Sequence, residues 1–217
     1  MQAEAASDAS CITDNTCLGK WGDVVILGQP LQFINVASVA ALALDPKWAL
    51  PYTSPHQCLV TAEDTARPQI RTTWVPHETN GEDNIAYEEQ LKEGDILHSG
   101  QHIRIANKGS HTGLFFYLHS SVRDLCHVGS QPLIVSQGEC KDNIFVVNKP
   151  GERRVDIRGG GPVHIGEPFV LYHAATSQPA RCTMKQQKTS LGFELEVNRS
   201  FAGDNFSRSI AAVTNHQ

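Results

Sequence analysis

The chain has no Cys-x-x-Cys pair, no basic stripe and no run of eighteen apolar residues, and each absence removes a class of function. Without the long apolar run there is no helix of the length that spans a bilayer. The opening ten residues carry Glu4 and Asp8 and no basic residue ahead of an apolar stretch, so they do not read as a secretory leader, and the expected place is the cytoplasm. Lys and Arg number 18 against 23 Asp and Glu, a net charge of -5, which argues against nucleic-acid binding. The six cysteines (Cys11, Cys17, Cys58, Cys126, Cys140, Cys182) are scattered and are expected to be free thiols, some serving as small core hydrophobes. Helical periodicity is scarce too. The best candidates are Val36 to Leu44, stopped by Asp45-Pro46, and a weak turn from Tyr87 to Leu91.

What the chain does have is enough apolar material for a core, 40% of 217 residues with only 19% charged. Residues 1–17 are small and polar and read as a tail; 18–217 read as one domain. Beyond Trp21 the apolar runs are short, β-branched or aromatic: Asp23 to Leu27, His102 to Ile105, Leu114 to Leu118, Leu133 to Val135, Asn143 to Val147, Phe169 to Tyr172 and Phe193 to Val197. Several alternate with period two, and Asn80-Gly81, Pro150-Gly151, Gly159 to Pro162 and Gln178-Pro179 supply turn chemistry between them. The fold class is all-β.

A glycine followed by apolar residues three and five places on recurs: Gly22, Val25, Leu27; Gly100, Ile103, Ile105; Gly166, Phe169, Leu171. His98 and His164 precede the second and third glycines by two. The physical sense is a tight turn followed by a strand whose alternate residues face one core. A second pattern, Gln57 to Thr61 then Arg71 to Val75, returns as Gln131 to Val135 then Asn143 to Val147, and more loosely as Leu191 to Val197 then Ser209 to Thr214. Three units of four strands around one axis make a β-trefoil, a closed architecture without open edges. A β-sandwich is the alternative. The trefoil places Val25, Leu27, Ile103, Ile105, Phe169 and Leu171 in a single core.

Catalytic chemistry finds no foothold. His98 and His102 are spaced as on a zinc-binding helix, yet the segment reads as turn and strand, where such a pair stands roughly 13 Å apart. Gly159 to Pro162 is not followed by the Lys-Ser/Thr and helix of a phosphate loop, and there is no Gly-x-Ser-x-Gly elbow. The chain is expected not to be an enzyme and to need no cofactor or metal. The dense basic spot is Glu152 to Arg154 with Arg158.

These segments resemble the cilia- and flagella-associated protein 161 family, trefoil proteins of the MIR-like kind found inside axonemal doublet microtubules. Trp21 to Leu27 is similar to the family's aromatic-Gly-Asp-x-Val opening strand. Leu97 to Gln101 with Leu114 to Ser120 is similar to its second-unit Gly-Gln turn and Tyr-Leu-x-Ser strand. In the third unit, Gly160 to Val163, Leu171 to Thr176 and Leu191 to Val197 follow the order of its Pro-Val, Ile-Asn-His-x-x-Thr and Phe-Gly-x-Glu-x-Glu-Val elements, and Ala212 to Asn215 sits where it ends. The resemblance runs from about Lys20 to Asn215. Two features depart from it: only about twenty residues precede the first strand, and the usual His-Thr-Tyr near the end is Asn198 to Phe201 here.

What the resemblance implies is a structural microtubule inner protein in the doublet lumen of a cilium or flagellum, binding tubulin and neighbouring inner proteins, part of the axonemal cytoskeleton, with no membrane or nucleic-acid partner. Contacts are then expected in loops, which lie on the surface and carry function. The candidates are Trp48 and Tyr52 in the loop from Trp48 to His56, His77 and Glu82 in the loop from Pro76 to Glu89, and Arg153, Arg154 and Arg158 in the basic spot. A second hypothesis is a MIR- or lectin-like trefoil binding a carbohydrate or small ligand. The residues aligned after the repeat strands, Gln29, Asn107 and His173, share no ligand set.

Overall fold

In the computed structural model the described residues are 19–49, 58–64, 68–79, 92–108, 115–121, 130–150, 160–200 and 209–213; for 46–49, 108, 115, 130, 200 and 209–213 this holds for the backbone alone. The expected tail, 1–17, and the turn from Tyr87 to Leu91 lie outside them. The strands are β1 (Gln32–Asn35), β2 (Ala41–Ala49), β3 (Cys58–Glu63), β4 (Trp74–His77), β5 (His102–Lys108), β6 (Phe115–His119), β7 (Ser130–Pro132), β8 (Ile134–Gln137), β9 (Phe145–Asn148), β10 (Pro168–His173), β11 (Ala180–Thr189), β12 (Gly192–Ser200) and β13 (Ser209–Val213). Two single 3-10 turns, Ile70–Thr72 and Lys141–Asn143, precede β4 and β9. Among the described residues no helix is long and apolar enough to cross a membrane.

The strands divide into a barrel and a cap. Pairing runs β1–β13–β10–β9–β5–β4, all antiparallel. The ring closes where Leu31 and Trp74 exchange hydrogen bonds, Leu31 N–H to the Trp74 carbonyl at 2.7 Å and Trp74 N–H to the Leu31 carbonyl at 2.8 Å. The cap consists of the pairs β2–β3, β6–β8 and β11–β12, joined through β3–β8, β3–β12 and β7–β12. The register is three-fold: Trp74 faces Asn107, Phe145 faces His173 and Ile210 faces Asn35. Val25, Leu27, Ile103, Ile105, Phe169 and Leu171 all belong to one buried cluster, as a trefoil requires and two separate cores would not.

At the barrel floor the three units hold one another in a cycle. Val25 N–H donates to the Val163 carbonyl (2.8 Å), Val163 N–H to Leu97 (2.8 Å) and Leu97 N–H to Val25 (2.9 Å). This cycle corrects the phase of the repeat in the first unit. The equivalent turn glycines are Gly28, Gly100 and Gly166, with φ of 88°, 90° and 89°. The equivalent core residues are then Leu31, Ile103 and Phe169, with Phe33, Ile105 and Leu171 following. Gly22 matches Gly94 instead. Both Gly22 and Gly28 are followed by apolar residues at the required offsets, so the pattern is ambiguous and only the inter-unit hydrogen bonds separate them. At Gly166 glycine is needed twice over, for its positive φ and because the Trp21 ring crowds the place where a Cβ would stand.

The segment Val36 to Leu44 is also corrected, from helix to a turn followed by β2. Residues 40–45 are all buried, so the strand is covered on both faces. A strand covered on both sides is apolar throughout and carries no alternation, so periodicity cannot tell it from a buried helix. The bulge between Asp45 and Ala49 lets the pairing with β3 pass Pro46, which has no N–H to give.

Candidate functional site

Corrected alignment makes Asn35, Asn107 and His173 the equivalent residues after the barrel strands, in place of Gln29, Asn107 and His173. All three are buried and hold turns. Asn35 Oδ1 accepts from Ala37 N–H (3.1 Å), Ser38 N–H (2.9 Å) and Ser38 Oγ (3.0 Å). Asn107 Nδ2 donates to the carbonyls of Ile70 (2.8 Å) and Thr73 (2.7 Å). His173 Nδ1 lies 2.9 Å from Thr176 Oγ1, and Nε2 lies 3.2 Å from the Asp142 carbonyl. The His-x-x-Thr of the third unit is thus the counterpart of Asn35-x-x-Ser38 in the first. Burial, aided by the Arg199 charge, holds the His173 imidazole down to about 4, so it stays neutral. A ring engaged at both nitrogens is an anchor and has no capacity left for a ligand.

Cys140, His119 and Asn143 bring together the residue types of a thiol hydrolase. Cys140 Sγ is 3.7 Å from His119 Nδ1 and 2.7 Å from Asn143 Oδ1. Burial raises the Cys140 thiol, the reverse of what an attacking thiolate needs. The local geometry has a simpler origin. Cys140 N–H donates to Asn143 Oδ1 (2.7 Å) as Gln69 N–H donates to Thr72 Oγ1 (3.0 Å), so both groups cap equivalent 3-10 turns. Cys58 and Cys182 lie in the core, where burial raises both thiols. The described cysteines are free thiols. No group of three or more His, Cys, Asp or Glu among the described residues is arranged to hold a metal ion. The small void at the barrel axis is lined by apolar side chains, Leu31, Phe33, Leu97 and Phe169 among them, with no polar group to meet a sugar hydroxyl.

Of the residues expected to meet a partner, Tyr52, Glu82, Arg153, Arg154 and Arg158 lie outside the described residues. Trp48 is on β2 and His77 closes β4, so both stand on strands and not in the expected loops. His77 is half-buried, its ring edge-on to Tyr117 at 6.3 Å, and burial lowers its imidazole. Beside it the buried Arg104 reaches the Glu139 carboxylate (3.2 Å), which also accepts from Tyr117 Oη (3.0 Å). Burial and that bond push the Tyr117 phenol up to about 12.

The surface best formed for a partner is the β11–β12 hairpin, of which the sequence identified only the second strand, Phe193 to Val197. Its inner face is tied to the first unit by buried polar groups. Arg71 pairs with Glu194 (2.8 Å) and Glu63 (2.6 Å) and donates from Nε to the Leu44 carbonyl (3.1 Å), while Thr61 Oγ1 donates to Glu194. Buried Asp45 accepts from Ser190 N–H (2.9 Å) and Ser190 Oγ (2.6 Å), which clamps the hairpin tip to β2. Elsewhere on the hairpin Met184, Leu191 and Phe193 are exposed. Phe193, Leu195 and Val197 share one strand face, and along it burial fades from Val197 to Phe193. That alternation was legible beforehand; which end leaves the core was not.

No protein-family model matches the sequence, and no curated protein does. Solved structures do match in shape. A Caenorhabditis elegans protein of unknown function superimposes with TM-score 0.63 at 20% identity, over 89% of this chain and 98% of that one. The SDF2-like protein from Arabidopsis thaliana gives 0.62 at 15%, over 89% and 99%. The Saccharomyces cerevisiae protein O-mannosyltransferase Pmt1-Pmt2 complex gives 0.68 at 14%, over 96% of this chain and 29% of that one. At such identities the likeness carries the fold alone, an all-β trefoil.

Proposed function

We propose that this chain is a non-enzymatic structural protein of the doublet-microtubule lumen, binding tubulin and neighbouring inner proteins in the axoneme of a cilium or flagellum. The reading is carried by the third unit. Leu171 to Thr176 and Leu191 to Val197, the segments most like those of the cilia- and flagella-associated protein 161 family, form the turn anchor and the clamped hairpin with exposed Leu191 and Phe193. A fold whose cap is tied together by the buried Arg71–Glu194 and Asp45–Ser190 contacts suits a scaffold whose work is done at its surface. Repeated contacts along a lattice add avidity to interfaces that are individually modest.

Fractionation of isolated axonemes is the test. The protein is expected to stay with the microtubules through detergent and moderate salt, and full release with the membrane-and-matrix fraction overturns the reading. Changing Arg153, Arg154 and Arg158 to Glu asks whether the basic spot takes part; unchanged retention removes it from the interface. The second reading, a carbohydrate-binding trefoil, draws on the shape shared with a mannosyltransferase complex whose structure holds a sugar donor. Millimolar binding of a simple hexose by calorimetry supports that reading.

A further inference from the structure

The barrel floor carries a second surface. Its segments meet in three isolated pairs, Val24 with His164, Ile26 with Ile96 and His98 with Pro162. In each pair the hydrogen bonds flank the two residues; for the first they run from Val25 N–H to Val163 and from Ile165 N–H to Asp23, both 2.8 Å. Pairs of that kind bring their side chains close together on one face. The residues between them, Val25, Leu97 and Val163, line the void at the barrel axis, so alternation turns all six paired side chains to the outside of the floor. They are half-buried, and Ile96 is 41% exposed. Trp21, 59% exposed, stands beside them with its ring against Gly166. A contiguous apolar patch of this sort marks a binding surface, whereas single exposed apolar residues do not.

The face itself holds no lysine, arginine or carboxylate. Val24, Ile26, Ile96 and Pro162 are apolar, and the two histidines each turn Nδ1 to a main-chain carbonyl, His98 to Ile96 and His164 to Gly22, both at 3.0 Å. Charge surrounds the face in both signs. Lys20 and Asp23 mark one corner, and Lys92, Glu93 and Asp95 mark the equivalent corner of the second unit, all exposed. Asp23 accepts from Lys20 N–H (2.9 Å) and Asp95 from Lys92 N–H (2.7 Å), so both corners are shaped before any partner arrives, which lowers the ordering cost of binding. At the third corner Lys149, beside Gly161, pairs with Glu167 at 3.2 Å.

This charge pattern selects the occupant. A strongly acidic or strongly basic partner meets like charge at every corner and gains no steering. A second copy of this chain brings the same uncharged apolar face and the same corners of lysine beside acid. Turned about a two-fold axis, it can lay the lysines of one copy against the acids of the other, the self-complementary arrangement of an isologous dimer.

We infer that the chain forms a two-fold homodimer through its barrel floor, with Val24, Ile26 and Ile96 of the two copies packed together inside a ring of alternating charge. The inference is independent of the microtubule reading. Sedimentation equilibrium of the purified full chain over a wide range of concentrations tests it. The mass is expected to rise from that of one chain to that of two and to stop there. Ile96→Asp, and separately Val24→Asp, weaken the association at least about tenfold, while Val36→Ser, at an exposed apolar position elsewhere, leaves it unchanged. Unchanged melting of the variants confirms that the fold is intact.

Charge variants at the exposed corners test the self-complementarity without touching the core. Lys20→Glu with Lys92→Glu makes the rim acidic, and Glu93→Lys with Glu167→Lys makes it basic. Each double variant alone is expected to associate at least about tenfold more weakly than the parent, and an equal mixture of the two is expected to recover a dimer that holds one of each. A parent that stays monomeric at every concentration, an Ile96→Asp dimer as tight as the parent's, or an acidic-rim variant that pairs with itself like the parent overturns the inference. So does a monomeric parent that sediments with polymerised tubulin and loses that binding on Ile96→Asp, which assigns the floor to another protein and leaves the microtubule reading standing.

Discussion

In the barrel, Leu31, Ile103 and Phe169 occupy equivalent places in the three units, as do Phe33, Ile105 and Leu171, and all are buried. In the cap, the contact between the first hairpin and the third is polar: Arg71 between Glu63 and Glu194, with Asp45 on Ser190. Burial of apolar surface is non-directional, so leucine, isoleucine and phenylalanine can exchange places around the axis so long as the volume is filled. Buried ions are directional and intolerant. Each is costly to strip of water and is stable only with its partner in position. The barrel keeps its symmetry with interchangeable residues, whereas the cap uses a specific network to set which hairpin lies against which.

The largest expected effect comes from breaking the network. Arg71→Met leaves Glu194 buried without its cation and is expected to cost about 3–5 kcal/mol in a denaturant titration, with much of that recovered by adding Glu194→Leu. If the single change costs less than about 1 kcal/mol, the cap is held by packing and the contrast with the barrel fails.

Next comes the barrel itself. Ile105→Ala or Leu171→Ala, both fully buried, is expected to cost on the order of 2–5 kcal/mol, since each removes transfer free energy and leaves a cavity. Equal losses at the two positions sharpen the comparison, because equivalent places in a symmetric barrel should collapse to similar degrees.

A third expectation concerns pH. His173 is neutral in the fold, its pKa lowered from 6.5 to about 4, first by burial and then by the charge of Arg199. Its contribution is fully present above about 6.5. As the pH falls below that, the unfolded chain takes up the proton first, and stability declines until the pH passes about 4, a loss of about 3 kcal/mol at most. The Glu63 carboxyl, raised by burial, works in the opposite sense and returns part of it. His173→Asn, which installs the residue found at the equivalent Asn35 and Asn107, is expected to flatten the profile between these values in pH-dependent thermal melts. A profile as steep as the parent's assigns the dependence elsewhere.

The smallest effect is a gain. Val39 has φ of 58°, in the left-handed region that a β-branched residue rarely adopts, and it is exposed. Its counterpart Ser177, at φ of 61°, closes the same turn, with N–H to the His173 carbonyl at 2.8 Å as Val39 donates to Asn35 at 2.8 Å. Val39→Gly is expected to stabilise the protein by about 1 kcal/mol, read from the denaturation midpoint. Loss of stability instead means that the Val39 side chain makes a contact worth more than the strain.

Much of this architecture was legible in the residues. The all-β class, many of the strands, the two later turn glycines and the shared core follow from local chemistry, because glycine at positive φ and alternation of period two are decided within a few residues, whereas Asp23 to Leu27, expected as a strand, forms only isolated bridges and β11 was not expected. The turn anchors were half legible: His173-x-x-Thr176 stood out as a motif, but its equivalence to Asn35-x-x-Ser38 waited on the correct phase. The buried partners of Arg71 were not legible at all, since Glu63 and Glu194 come from strands far apart in the chain.

By itself, then, the sequence determined the all-β class, the turn glycines Gly100 and Gly166 and many of the stretches that extend. Only the tertiary structure decided that Gly28 and not Gly22 begins the first repeat, that Val36 to Leu44 enters a strand, and that Phe193 faces water while Val197 on the same strand face is buried. The physical reason is the same in each case. A hydrophobic pattern carries a period but no phase and no endpoint; those are set by hydrogen bonds and burial between units, which no single segment contains.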